Sequence, residues 1–101
     1  MKEPQSLAEI LKILRQQKRV LHAQFGVLDL AVFGSYVSDQ QTNKSDVDLF
    51  ANLKPEYKTF DNYMELRFFL EEQLQKKIDL ALKESIREEF KAGIFNEAIY
   101  V

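Results

Sequence analysis

The chain has 101 residues, 46% of them hydrophobic, no cysteine, a single histidine (His22) and a formal net charge of −2. That length suits one compact domain, residues 1–101, with a single core and no room for a second. The charge balance lacks the basic excess of a protein that grips nucleic-acid phosphates, disulfides and thiolate or multi-histidine metal sites are excluded, and no apolar run approaches the roughly 18 residues of a membrane span; a soluble cytoplasmic protein, with any metal held by oxygen, is expected.

Ser6 with Glu9 matches a helix N-terminal capping box, and Leu7, Ile10, Leu11, Leu14, Leu21 and Phe25 continue at helical spacing, predicting one amphipathic helix over roughly 6 to 24. Gly26 ends it. Val27 to Phe33 is a short, mostly apolar run and reads as a buried strand, followed by the polar stretch Ser38 to Ser45, which has no apolar stripe to bury. Asp46 to Leu53 reads as a second strand, closed by Pro55. Thr59 or Asp61 caps a helix whose Tyr63, Leu66, Leu70 and Leu74 share one stripe while Glu71, Glu72, Lys76 and Lys77 face water. Ile78 to Leu82 is the third strand, Glu84 to Ala92 a short helix stopped at Gly93, and Ile99 to Val101 a terminal apolar segment. A helix between strands two and three is a crossover that makes them parallel neighbours. The expected fold is α+β: a small mixed sheet of three to four strands flanked by helices.

Two motifs carry chemistry. In extended chain, side chains alternate faces, so Asp46 and Asp48 point the same way, about 7 Å apart along the strand, and two like charges that close favour a cation between them. Asp79, in the third apolar run, would lie beside them if both runs are strands of one sheet. Upstream, Gly34 and Ser35 directly after a buried strand permit a sharp turn and close approach of a ligand to the backbone, with free N–H groups for an anion such as phosphate. Each feature also has a plain reading: the glycine as a turn, the acids as a solvated strand end, Tyr36 as a brace for the turn rather than a stack for a base, and Lys44 as a solvated loop residue rather than a phosphate ligand. Taken together, oxygen ligands, an anion site and room for two metal ions about 3.5–4 Å apart are what nucleotidyl transfer requires, with Asp46, Asp48 and Asp79 holding Mg²⁺ and Asp79 on the side of the entering hydroxyl.

At these residues the chain resembles the minimal nucleotidyltransferases, the smallest members of the DNA polymerase β-like superfamily. Their pattern G-S-x-A-R-G-x-A-x-x-x-S-D-[IV]-D-L falls without a gap on Gly34, Ser35, Ser45, Asp46, Val47, Asp48 and Leu49. Phe60 to Leu82 is similar to the family's helix leading into a K-x-D-L strand, which places the third family carboxylate on Asp79; Ile94 to Tyr100 is similar to its closing segment. The resemblance implies a polymerase β-like nucleotidyltransferase fold, catalytic and metal-binding Asp46, Asp48 and Asp79, a nucleotide site around Gly34, Ser35 and Ser45, Mg²⁺ as cofactor and ATP as substrate; Tyr36, next to the turn, and Lys44, close by in sequence, are added to that nucleotide site from their positions alone. It also implies a role as the antitoxin beside a HEPN-type toxin, in a hetero-oligomer, transferring AMP to a tyrosine hydroxyl of that partner. One departure stands out: the family's A-R-G is Val37-Ser38-Asp39 here, so Ser38 replaces the arginine expected near the phosphates. Two rivals stay open, a module that neutralises its partner by contact alone, and transfer to RNA or a small molecule presented by a separate subunit.

Overall fold

The structure, a computed structural model, describes residues 6–38 and 46–101. The chain runs α1 (Leu7–Gln16), α2 (Lys18–Phe25), β1 (Val27–Phe33), a 3-10 turn (Gly34–Tyr36), β2 (Val47–Leu53), α3 (Phe60–Leu74), β3 (Ile78–Leu82), α4 (Glu88–Glu97) and β4 (Ile99–Tyr100). The strands of the described residues form one sheet in the order β3-β2-β1-β4, with β2 and β3 parallel and the other pairs antiparallel. This is the mixed α+β architecture expected, and strands one and three fall at the expected bounds.

Two expectations need correction, and a third is sharpened. The first helix is two: Gln17 leaves helical geometry, and its N–H bonds back to Leu14 O at 3.0 Å. The break lies in Arg15-Gln16-Gln17-Lys18-Arg19, where the apolar stripe lapses, so a change of direction there exposes nothing and lets Leu21 and Phe25 reach the core alongside Ile10 and Leu14. The last helix starts at Glu88 and passes through Gly93 to Glu97, with Lys83–Ser85 forming a 3-10 turn instead. A helical glycine costs only about 1 kcal/mol, and the longer helix carries Phe95 onto Phe50, ring centroids 5.3 Å apart. The terminal apolar segment is an edge strand, Tyr100 opposite Ala31 and Ile99 opposite Val32.

Elsewhere local chemistry sets the elements as read. Ser6 Oγ accepts the Glu9 N–H and Thr59 Oγ accepts the Asn62 N–H, each satisfying a first-turn donor. Gly26 closes α2 in the left-handed region at φ +67°. Leu66, Leu70 and Leu74 on α3 are wholly buried and pack with Ile10 and Leu14 against the face of the sheet that presents Val47, Leu49, Ala51 and Leu53. With one face of β2 committed to that core, period two turns Asp48 and Phe50 to the other face.

Candidate active site

Topology gathers the acidic residues. β1 runs antiparallel to β2, so the end of β1 lies beside the start of β2, and the parallel β3 starts at the same edge of the sheet. Phe33 therefore pairs with Asp48, and Asp48 pairs directly with Asp79 across the β2–β3 register. The flanking Val47, Leu49, Ile78 and Leu80 are buried in the core, which holds both aspartates toward the opposite face. Asp46 stands exposed immediately before β2. Asp48 and Asp79 thus stand side by side at one sheet end, with Asp46 just ahead of β2.

Burial is the largest cause that raises the Asp48 carboxyl above its ordinary 3.8; the charges of Asp79 and then Asp46 push it the same way. Like charges on hard oxygen donors, gathered where burial already disfavours ionisation, are a set that fits Mg²⁺ or a similar divalent cation. Among the described residues no group of three or more histidine, cysteine or acidic side chains is arranged to hold a metal ion. The closely registered pair is Asp48 and Asp79, with Asp46 beside it, and like charges that repel have no reason to close up on one another.

The turn after β1 is shaped around Asp48. Gly34 has φ +77°, and a Cβ placed there would stand 2.2 Å from Asp48 Oδ2. Glycine is thus required twice, by the left-handed backbone and by the carboxylate lying against it. The Val37 and Ser38 N–H groups both fold back onto Gly34 O, at 3.1 and 3.0 Å, and close the turn. Ser35 follows Gly34 in that turn, at the mouth of the site. Tyr36 is only 3% exposed and belongs to the core, the bracing role; Lys76 lies over its ring at 5.9 Å from the centroid rather than simply facing water. Ser45, named from the motif, and Lys44, named for its nearness in sequence, lie outside the described residues, as does the family's A-R-G position beyond Ser38.

Several residues at the site escaped the sequence reading. On the same face as Asp48, Phe50 is enclosed by Phe33, Phe95 and Tyr100 at 5.9, 5.3 and 5.7 Å between centroids, and Lys83 lies over the Phe95 and Tyr100 rings. Glu97, at the end of α4, accepts the Gly34 N–H on Oε1 at 3.2 Å. Phe95 could have been flagged as an apolar residue in an otherwise polar terminal helix; nothing local pointed to Glu97, whose partner is 63 residues away in sequence. His22, at the end of α2, faces Val27 O with Nδ1 at 3.2 Å and takes no part. A cavity of about 550 Å³ between Lys18, His22, Leu28 and Val101 lies at the far end of β1 from the carboxylates, and no acid of the trio lines it.

Comparison with known proteins agrees with this geometry. Residues 7–101 match the family model described as a nucleotidyltransferase domain. A Methanocaldococcus jannaschii chain provisionally named a protein adenylyltransferase is 39% identical over 98 residues, covering 95% of this chain and 98% of its own length. Among solved structures, one provisionally described as a minimal nucleotidyltransferase superposes with a TM-score of 0.80 at 24% identity, over 97% of this chain and 98% of the other. Another, a toxin–antitoxin crystallised with AMP-PNP, gives a TM-score of 0.65 at 20% identity, over 92% and 69%. The two structural likenesses concern the fold; the family match and the sequence identity establish descent, and the chain belongs to the nucleotidyltransferase domain family, a family of enzymes.

Proposed function

We propose that the protein transfers AMP from ATP to a hydroxyl, a tyrosine in the leading form of the hypothesis, on a partner toxin of the HEPN type, and that this modification is its action as a cytoplasmic antitoxin. The observation that carries the reading is the direct register of Asp48 with Asp79 beside a glycine turn that only glycine can make there. The name of the Methanocaldococcus jannaschii relative and the toxin–antitoxin fold neighbour with its ATP analogue support the same class of reaction and partner. No helix among the described residues is long and apolar enough to cross a membrane.

In this reading Gly34 and Ser35 receive the triphosphate, and Asp46, Asp48 and Asp79 hold Mg²⁺ through oxygen. When bound, magnesium supplies charge neutralisation at the phosphates and at the entering and leaving oxygens. The acceptor hydroxyl oxygen forms a bond to the α-phosphorus, the bond from that phosphorus to the β-bridging oxygen breaks, and pyrophosphate leaves with the electron pair. Asp79, on the entering side, takes the hydroxyl proton. Catalysis of this kind is mostly positioning and electrostatics, which suits a site built from strand residues on a packed sheet. A transferred AMP adds bulk and negative charge to a toxin surface that must admit RNA phosphates. In this reading the partner presents the acceptor hydroxyl to the carboxylate end of the sheet.

Incubation of the protein with ATP, Mg²⁺ and the product of the neighbouring reading frame, followed by intact-mass measurement of that partner, tests the reading. The partner gains whole AMP units with the natural chain and none with Asp48→Asn. A partner that stays unmodified yet inhibited in a stable complex would instead establish neutralisation by contact, the rival that Ser38 in the arginine position favours.

A further inference from the structure

The donor assigned above to a phosphate oxygen is engaged. The Gly34 N–H donates to Glu97 Oε1 at 3.2 Å, and among the described residues this is the hydrogen bond the Glu97 carboxylate makes. Glu97 is exposed and is the last residue of α4, a helix with no basic residue in its final turn. Helix stability does not account for an acid there, because the C-terminal end of a helix carries the negative end of the macrodipole and disfavours a carboxylate. Asp48, whose carboxylate lies against the same glycine, adds like charge nearby. Among the described residues the interaction that holds the Glu97 carboxylate there is the backbone N–H, and a carboxylate oxygen on a backbone N–H is the same class of contact as a phosphate oxygen.

We propose that Glu97 is an affinity-setting residue of the nucleotide site: its carboxylate competes with the triphosphate for the Gly34 N–H and leaves when nucleotide binds. The inference rests on the assignment of Gly34 to the phosphates. The placement of Glu97 is fixed on both sides. Phe95, two residues before it, packs on Phe50, and Ile99 and Tyr100, just after it, pair with Val32 and Ala31. The competitor is therefore tethered within reach of the turn at high effective concentration, yet it can withdraw by side-chain rotation alone, without α4 leaving the sheet. One N–H donating to one acceptor cannot serve both, so nucleotide binding includes the cost of displacing Glu97.

Isothermal titration of the full-length protein with AMP-PNP and Mg²⁺ tests this, comparing the natural chain with Glu97→Ala and Glu97→Gln, and with Glu89→Gln as a control for charge at the other end of α4. Loss of one charge-assisted hydrogen bond from the competing state tightens binding by about tenfold or more in Glu97→Ala. Glu97→Gln, which keeps an acceptor without the charge, gains less, and Glu89→Gln stays near the natural value. Thermal unfolding without nucleotide moves the opposite way, with Glu97→Ala melting no higher than the natural chain, because a contact of the free protein is gone. Affinity that is unchanged or weaker in both Glu97 variants overturns the inference while leaving the site itself standing. Binding absent from every variant including the natural chain overturns it together with the assignment of the phosphate turn. If Glu97→Ala does not fold, Glu97→Gln alone decides the question in the same sense.

Discussion

Gly34→Ala is the sharpest single probe of the site, because the same methyl group makes two separable demands. At φ +77° an alanine occupies the left-handed region, which costs an L-residue about 1–2 kcal/mol. For a domain of this size that corresponds to a fall of about 5–15 °C in the unfolding midpoint. The methyl would also sit 2.2 Å from Asp48 Oδ2, where real contacts stay beyond 3.0 Å, so the carboxylate oxygen must retreat by about 0.8 Å. A displacement of about that size in a reacting constellation costs on the order of 100-fold in rate. Gly26→Ala is the matched control. Its φ is +67°, and its methyl would stand 2.3 Å from Tyr57 Cγ and 2.7 Å from Tyr57 Cβ, a collision close to the backbone that costs stability at least as severely but lies away from the carboxylates. Thermal denaturation gives the first quantity, and the rate of AMP transfer per folded molecule, by mass spectrometry of the partner, gives the second. Both variants lose stability, and Gly34→Ala alone loses transfer. The reasoning is refuted if folded Gly34→Ala transfers AMP within about threefold of the natural rate, or if Gly26→Ala loses as much per folded molecule.

Other perturbations separate charge, core and cap. Burial and the neighbouring acids favour the protonated form of Asp48 in the folded state, so its ionisation costs stability once pH rises through the raised folded value, and the cost vanishes below the unfolded value of 3.8. Asp48→Asn therefore unfolds at a higher temperature than the natural chain at pH 7, and the difference closes on acidification below 3.8, while AMP transfer is lost at every pH; a variant less stable than the natural chain at pH 7 would contradict the assigned repulsion. Leu70→Ala, at a wholly buried position facing Ile10 and Leu14, loses about 2–5 kcal/mol in urea unfolding. Thr59→Ala removes the acceptor for the Asn62 N–H and loses about 1 kcal/mol by the same measurement. Transfer per folded molecule is unchanged in both, since Thr59 caps α3 at the end of the sheet away from the carboxylates and Leu70 packs on the face of the sheet opposite Asp48.

What could be read in advance follows from the range of each interaction. Val27–Phe33 and Ile78–Leu82 were legible because a continuous apolar run between polar stops has one economical conformation. The face of Asp48 was legible because period two is a local rule, and its pairing with Asp79 because the third strand had to adjoin the second after a helical crossover. The break at Gln17 was not legible, since capping and spacing on both sides remain helical and only the lapse of the apolar stripe marks it. Gly93 misled because a glycine weakens a helix without ending it, and the contact of Phe95 with Phe50 prevailed. Gln75 misled in the opposite sense: it ends α3 in the left-handed region at φ 54° with no glycine to announce it. Tyr36 follows the turn in sequence but is carried into the core, a choice only tertiary packing decides. Glu97 lay beyond any local rule, because its partner is a backbone N–H and leaves no residue signature.

The central claim is that this sheet end, with Asp48 beside Asp79, moves the α-phosphoryl group of ATP. Parallel reactions with the partner protein, one with ATP carrying radiolabel at the α-phosphorus and one with label at the γ-phosphorus, measure that directly. The account predicts α-label on the partner, γ-label released as pyrophosphate, and neither with Asp48→Asn. Label from the γ-position on the partner, or α-label that persists in Asp48→Asn, would contradict it.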